Sequence, residues 1–260
     1  MLSVSQFADI AIAAESRPFG AKAIKVFVYH VDGLLIDSGP QSLAGELRPW
    51  FAEQAPSQVA ISHNHEDHAG NAAWLAEHMH VPVYLHPGSI AQAARPGVYP
   101  PYRHQLWGER QPYFPLSLPD QLSTDRYHFQ VLDTPGHTPC HNCFFEPDQG
   151  WLFTGDLYLN SRLRTCFFEE DMRRGIASLR KLLRLDFATV FCAHAGVVTQ
   201  GKQKLMEKLE FLLQLQQRVD LLRAEGRNDR DISAEIFGPP LPIAAISGGE
   251  WSAYHLVRTI

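Results

Sequence analysis

A chain of 260 residues that is 45% hydrophobic and 20% charged reads as globular, long enough to bury a substantial core as one large domain or two small ones. Its formal net charge of -5 gives no general attraction to nucleic acid or an anionic membrane, and no stretch approaches the roughly 20 apolar residues of a membrane span. Four cysteines form no disulfide framework, and Asp9 and Glu15 interrupt the region where a signal peptide needs its apolar core, so the expectation is a cytoplasmic protein.

Two strands, residues 25–31 and 33–39, are joined by the turn Asp32-Gly33, and the second ends at Asp37 and Gly39. Residues 43–55 have helical spacing and Pro56-Ser57 ends them. A short strand over 59–61 feeds Ser62-His63-Asn64-His65-Glu66-Asp67-His68-Ala69-Gly70-Asn71, and a helix follows from about His68 to Met79. With a further strand over 81–85, the order β-β-α-β-α-β argues for an α/β layered domain.

The 63–68 loop packs three histidines and an aspartate into six positions of a chain that holds 13 histidines. Neutral imidazole and carboxylate are donors suited to zinc or ferrous iron. His63 and His65 can aim together from an extended loop, whereas Asp67 and His68 sit at a helix start and face another direction. Two adjacent metals suit that arrangement better than one.

Residues 87–119 carry seven prolines among Tyr99, Tyr102, Trp107, Tyr113 and Phe114. So long an irregular insertion is either a lid or wall over the site or an ordinary surface loop. Strand pattern returns at 129–133 and leads into Thr134-Pro135-Gly136-His137-Thr138. A hairpin over 142–145 and 151–154 ends at Gly155-Asp156, a helix spans 171–185, and a buried strand over 189–192 ends at Ala193-His194-Ala195-Gly196. From Gly201 the chain is helical, with a stripe of Leu205, Leu209, Leu212, Leu215, Val219 and Leu222 that packs on the main domain or forms a homodimer contact. Ser247-Gly248-Gly249-Glu250 resembles a capping box for a last helix over 251–258.

The 63–68 loop, His137, Asp156 and His194 thus each stand at the end of a predicted strand beside a glycine or proline turn. Together with Leu35-Ile36-Asp37-Ser38-Gly39, these segments resemble, in the same order, the metallo-β-lactamase-fold superfamily of hydrolases over residues 35–196. The resemblance implies an α/β fold of four layers, an αββα sandwich, with a catalytic domain over 1–200 and a helical C-terminal extension over 201–260 packed on it. It also implies two Zn2+ ions, with Fe or Mn as alternatives. His63, His65 and His137 would hold the first; Asp67, His68 and His194 the second; Asp156 would bridge them, and Asp37 would orient a ligand loop.

The chemistry of such a set agrees with that assignment. Two dications sharing a water bring its pKa toward neutrality and yield a hydroxide nucleophile, one metal polarises a substrate oxygen, and Asp67 orients the nucleophile or accepts its proton. Tyr158 is the candidate for protonating the leaving atom. Hydrolysis of an ester-like bond in a small molecule leads, with a thioester or lactone as substrate class, because residues 65–71 and 134–138 look similar to those of glyoxalase II-like thioesterases.

Other functions fit less well. True β-lactamases are usually exported and commonly use cysteine where this chain has Asp156, and nuclease relatives carry an added nucleic-acid domain. The alternative kept is a mononuclear iron persulfide dioxygenase-like oxidoreductase on the same fold, since iron and zinc share these ligands. Flavin-dependent relatives need an attached flavodoxin-like domain and often place Glu where His65 stands. A non-catalytic scaffold is disfavoured because all seven ligand positions are filled.

Among the remaining residues, the single C-x-x-C of Cys140 and Cys143 has no second pair and reads as structural, and Cys192 as core. His141 lies behind the site or on a strand surface, whereas His78, His80, His86, His104, His128 and His255 are ungrouped. Arg162, Arg164, Arg173 and Arg174 either reach an anionic substrate group or form a solvated basic face.

Overall fold

The computed structural model describes residues 2–19 and 22–260; Met1, part of the N-terminal stretch read for a leader, lies outside them. The chain opens as a meander of β1 (Ser3–Phe7), β2 (Ile10–Phe19), β3 (Lys22–Val31) and β4 (Leu34–Ile36), with the expected turn at Asp32-Gly33. The first two strands carry no signal that the sequence reading used. α1 (Ala44–Gln54) then crosses to β5 (Gln58–Ala60), which runs parallel to β4. The ligand loop leads into α2 (Glu66–Ala69) and α3 (Ala72–His78), and β6 (Val83–Leu85) follows. After α4 (Ile90–Ala93) and α5 (Pro101–Trp107), β7 (Leu116–Ser117) completes a seven-stranded sheet whose order is the order of the chain.

The second half builds another sheet from β8 (Gln121–Ser123), β9 (His128–Asp133), β10 (Asn142–Glu146) and β11 (Trp151–Gly155). β12 (Cys166–Phe167) and α6 (Met172–Leu182) precede β13 (Thr189–Cys192), which joins β11 in parallel, and β14 (Gly196–Val198) closes that edge. The chain ends in α7 (Gly201–Ala224), α8 (Asp229–Phe237), α9 (Pro242–Ile246), β15 (Trp251–Ser252) and α10 (Ala253–Thr259).

Every residue of β10, β11 and β13 is buried, as expected for strands covered on both faces. Between the sheets lie Ile10, Tyr29, Leu34, Phe129, Phe144 and Phe153, and the rings of Phe153 and Phe191 stack at 4.6 Å. α1 and α3 press Leu47, Phe51 and Leu75 onto the outer face of the first sheet, while α6 and α7 press Leu179, Leu205 and Leu212 onto the second. Each such fully buried side chain contributes about 1.5–3 kcal/mol relative to exposure. Layering is therefore αββα, with the helical C-terminal region on the second sheet. No helix among the described residues is long and apolar enough to cross a membrane.

Three expectations need correction, and of the two readings of the α7 stripe the packing one is the one observed. The helix expected from His68 to Met79 is two helices broken at Gly70 and Asn71. The Asn71 amide donates to the carbonyls of Ser38, Gly39 and Pro40, and a Cβ on Gly70 would sit 2.4 Å from the Gln41 nitrogen. That contact pins the ligand loop to the β4–α1 connection. The 87–119 insertion is not irregular: it contains α4 and α5, and the buried Arg110 guanidinium ties it by donating to the carbonyls of Ala93, Gln92 and Arg95.

The leucine stripe of α7 is spent on packing, with Leu205, Leu212, Leu215, Val219 and Leu222 all in the core beside the second sheet. The capping box at Ser247 does not form. Ser247 instead closes α9 and its hydroxyl accepts from the Trp251 N–H, Glu250 accepts from the Tyr102 hydroxyl, and Trp251 and Ser252 pair with β12 before α10 begins.

Candidate metal centre

The expected ligands come from four connections at one edge of the sandwich. Ser62 to His68 follow β5, His137 lies between β9 and β10, Asp156 follows β11 and His194 follows β13. The geometry brings all seven together. His63 Nε2 and His137 Nε2 stand 3.0 and 3.1 Å from His65 Nδ1. His194 Nε2 lies 3.2 Å from Asp67 Oδ2, and His68 Nε2 lies 3.8 Å from the same oxygen. Asp156 stands between the two groups, with Oδ1 3.4 Å from His68 and from His194, and Oδ2 3.5 Å from His137.

Three groupings have ligand atoms close enough for one ion each: His63, His65 and His137; His63, His68 and Asp156; and Asp67, His68 and His194. With zinc–nitrogen bonds of about 2.0–2.1 Å, neighbouring corners of a tetrahedron are about 3.3–3.4 Å apart. The measured separations bracket that value.

What decides which nitrogen faces inward is the partner on each outer side. His68 Nδ1 is 2.8 Å from Asp37 Oδ2, His65 Nε2 is 3.3 Å from Glu169, and His194 Nδ1 donates to the Lys25 carbonyl at 2.6 Å. His63 Nδ1 lies 3.1 Å from the Ser62 hydroxyl, and His137 Nδ1 faces Glu170 at 3.8 Å. Four of the five imidazoles thus have an acceptor within hydrogen-bond reach on the outer side, the arrangement that fixes the tautomer of a metal-ligating histidine, whereas His137 Nδ1 is buried without a hydrogen-bond partner. Asp37 sits at the hub of this outer layer, accepting also from the Ser62 N–H at 2.7 Å and the Ser62 hydroxyl at 3.0 Å.

The electrostatics ask for positive charge. Burial and three neighbouring imidazoles hold His63 well below the ordinary histidine range, so it is a neutral donor. Burial opposes charging of His68 and His194, yet Asp37, Asp156 and Asp67 override it at His68, and Asp156 and Asp67 at His194, raising both well above that range. The same histidines hold Asp67 and Asp156 below the usual carboxylate range against the effect of burial. His68 Nε2 and Asp156 Oδ1 are nevertheless buried with no hydrogen-bond partner. A cavity of buried carboxylates, converging imidazoles and orphaned ligand atoms fits divalent cations, which would replace those protons.

Several contributing residues escaped the sequence reading. His141, left open between two roles, is fully buried behind the site; Thr134 Oγ1 lies 2.9 Å from its Nδ1, and its Nε2 accepts from the Asp156 N–H at 3.2 Å. Gly155 lets this happen. Its φ is +46°, and a Cβ there would come within 2.8 Å of both His141 Nε2 and the Ser62 hydroxyl. Glu66, inside the quoted motif, holds Arg103 of α5 in two bonds of 2.5 and 2.6 Å, and no local pattern announces a pair 37 positions apart.

Other candidates fall away. The Tyr158 hydroxyl faces Ser161 at 3.5 Å from within the core beside α7, so it is no acid for the leaving atom. Arg162, Arg164, Arg173 and Arg174 are exposed and outside the cleft that opens over the metal centre. Cys140 and Cys143 are free thiols, and Cys192 is core.

An αββα sandwich whose strand ends gather histidines and aspartates around a charge-demanding cavity defines a class of metal-site proteins, and comparison with known proteins is consistent with it. Residues 26–194 match the metallo-beta-lactamase superfamily, and the chain belongs to that superfamily. It is 34% identical over 168 residues to a hydroxyacylglutathione hydrolase of Nitrosomonas eutropha, covering 62% of this chain and 56% of that protein. It is 32% identical over 157 residues to a hydroxyacylglutathione hydrolase of Haemophilus influenzae, covering 56% and 72%. Among solved structures, a metallo-beta-lactamase family protein of Thermus thermophilus superposes with a TM-score of 0.67 at 20% identity, covering 97% of this chain and 91% of that one. That last likeness speaks for the fold alone.

Proposed function

We propose that this protein is a dinuclear metal-dependent hydrolase of ester-like bonds, with a thioester or lactone as its substrate class. The observation that carries the reading is the convergence of His63 Nε2, His65 Nδ1 and His137 Nε2, a set for one cation, beside imidazoles of which four are anchored by a hydrogen bond on the outer side. His68, His194 and Asp67 would hold a second, and Asp156 would reach both. Relatives named hydroxyacylglutathione hydrolase support the thioester class. Zinc is the proposed metal, with iron and manganese as competitors for the same donors. The catalytic unit is proposed to span residues 1–200, with 201–260 as an extension that completes one side of the cleft.

Cations held there would supply an acidified water and a Lewis acid for the scissile carbonyl. The protein's part is positional. Asp67 is ionised at neutral pH and faces the cavity, able to accept a hydrogen bond or proton from the attacking water. Asp37 and Ser62 hold His68 and the 62–65 turn, His141 holds the Asp156 backbone, and Glu66 braces α2 against α5. Trp107 and Phe167 line the approach and limit access of bulk water.

Protein purified without added metal is assayed for metal content, stripped, reloaded with zinc, manganese or iron, and screened on thioesters, lactones and phosphodiesters. Two metals per chain and thioester or lactone turnover are expected, and His65→Ala should abolish turnover. Oxygen consumption without hydrolysis would instead favour the iron dioxygenase alternative, to which the relatives above lend no support.

A further inference from the structure

Above the metal centre lies a cleft of about 250 Å³ whose walls come from four separate parts of the chain. Phe19 and Ile24 stand on one side, Leu106 and Trp107 of α5 on another, and Ile243 and Trp251 of the C-terminal region on a third. The floor is polar, formed by His65, Asp67, His137, Asp156 and His194, and the Glu66–Arg103 pair lies beside it. The matched superfamily region ends at residue 194, so Ile243 and Trp251 lie outside it. They are held in place by pairing of Trp251 with Phe167, whose rings lie 5.3 Å apart, and by the Tyr102–Glu250 hydrogen bond.

Among the described residues, Arg103 is the one arginine or lysine that lines this cleft, and its charge is already committed. Both oxygens of buried Glu66 take it at 2.5 and 2.6 Å, and the guanidinium lies over the rings of Phe167 at 4.9 Å and Tyr99 at 5.4 Å. A substrate carboxylate held against these walls, away from the floor, would lose water without gaining a free side-chain cation, which is costly, whereas an aliphatic or aromatic group would be favoured by Phe19, Ile24, Leu106, Trp107, Ile243 and Trp251.

We infer that the group filling this cleft is uncharged and apolar, so that the protein acts on esters, thioesters or lactones with a hydrophobic acyl or alcohol part and discriminates against a glutathione thioester, whose tripeptide carries two carboxylates. The inference rests on the hydrolase reading above and narrows its substrate.

The zinc-loaded full chain is assayed on N-acetylcysteamine thioesters from acetyl to octanoyl and, in parallel, on S-lactoylglutathione. Burial of one methylene is worth about fourfold, so kcat/KM is expected to rise about fourfold per added carbon until the cleft is filled. Trp251→Ala and Leu106→Ala should each flatten that slope. Binding of the matching neutral thioethers to metal-free protein, followed by tryptophan fluorescence through Trp107 and Trp251, should show the same dependence on length. A flat slope, or S-lactoylglutathione turned over about tenfold better than the best neutral thioester, overturns the inference and leaves the hydrolase intact. If no ester is cleaved under any metal, the hydrolase reading falls, and the fluorescence series alone decides the cleft: length-dependent binding supports it and no binding refutes it.

Discussion

Asp37→Asn tests the logic of the metal centre with the smallest change of shape. Asp37 has φ +59°, a left-handed conformation that asparagine also tolerates, so the backbone need not move. An asparagine oxygen can still accept from the Ser62 N–H, now bonded at 2.7 Å, but its amide nitrogen cannot accept from His68 Nδ1, now 2.8 Å from the carboxylate. The charge-assisted hydrogen bond from His68 Nδ1 is lost in a buried place, worth about 1.5–3 kcal/mol, and the Ser62 hydroxyl, which donates to the same oxygen at 3.0 Å, must turn to accept from the amide instead.

The larger effect is on His68. Without an acceptor at Nδ1 the ring favours a proton on Nε2, the atom needed for the second cation. Loss of such an orienting partner typically weakens metal binding about 10–100-fold. Competition against a chromophoric chelator should therefore show one site close to wild type, that of His63, His65 and His137, and one weakened by that factor. Urea unfolding of the metal-free protein should show the 1.5–3 kcal/mol loss. Two sites of unchanged affinity would refute the claim that Asp37 sets the His68 tautomer, and equal weakening of both would refute its restriction to one half of the centre.

Gly155→Ala should cost about 2–4 kcal/mol in urea unfolding, from left-handed backbone plus overpacking against Ser62 and His141, and a cost below about 0.5 kcal/mol would show that the junction is loose. In native protein one thiol per chain should react with Ellman's reagent and four after denaturation. Cys143 is buried with its pKa pushed up to about 12, burial likewise raises Cys166 and Cys192, and only Cys140 is partly exposed. The pH dependence of metal-free protein has a definite sign. His68 and His194 are raised above 6.5, so their stabilisation is full below that pH and lost as pH rises through the folded values. Asp67 and Asp156 are depressed below 3.8, so theirs is present above that pH and lost as pH falls through the folded values. Tm of metal-free protein should therefore drop from about pH 7 to 9 while zinc-loaded protein changes less, and parallel curves would contradict the charge balance drawn here.

The centre was legible because its parts are local signals. His63 to His68 cluster in sequence, and His137, Asp156 and His194 each end a strand whose apolar run is readable. The layers followed from strands buried on both faces and from one apolar stripe on α7. What escaped depends on contacts between distant residues. β2 spells its core with Ile10, Ile12 and Ala13 but spends its other end on Ser16, Arg17 and Pro18, which blurs the alternation. The break at Gly70 and Asn71 exists because of Ser38 to Pro40, 31 to 33 positions away, and the side chains of Ser247 and Glu250 found partners other than each other's backbone N–H. A capping pattern states only what a side chain can do locally, and here tertiary partners competed successfully.

The pairing of β12 with β15 separates inheritance of chemistry from inheritance of taste. The residues proposed to hold metal all precede residue 195, whereas one flank of the cleft above them arrives more than 40 residues later and docks through two backbone-paired residues on each side. A tail of that kind can drift, lengthen or be exchanged among relatives while the floor of histidines and aspartates stays fixed. Grafting residues 238–260 of a relative onto this core is then a route to new selectivity that leaves the reacting atoms where they are.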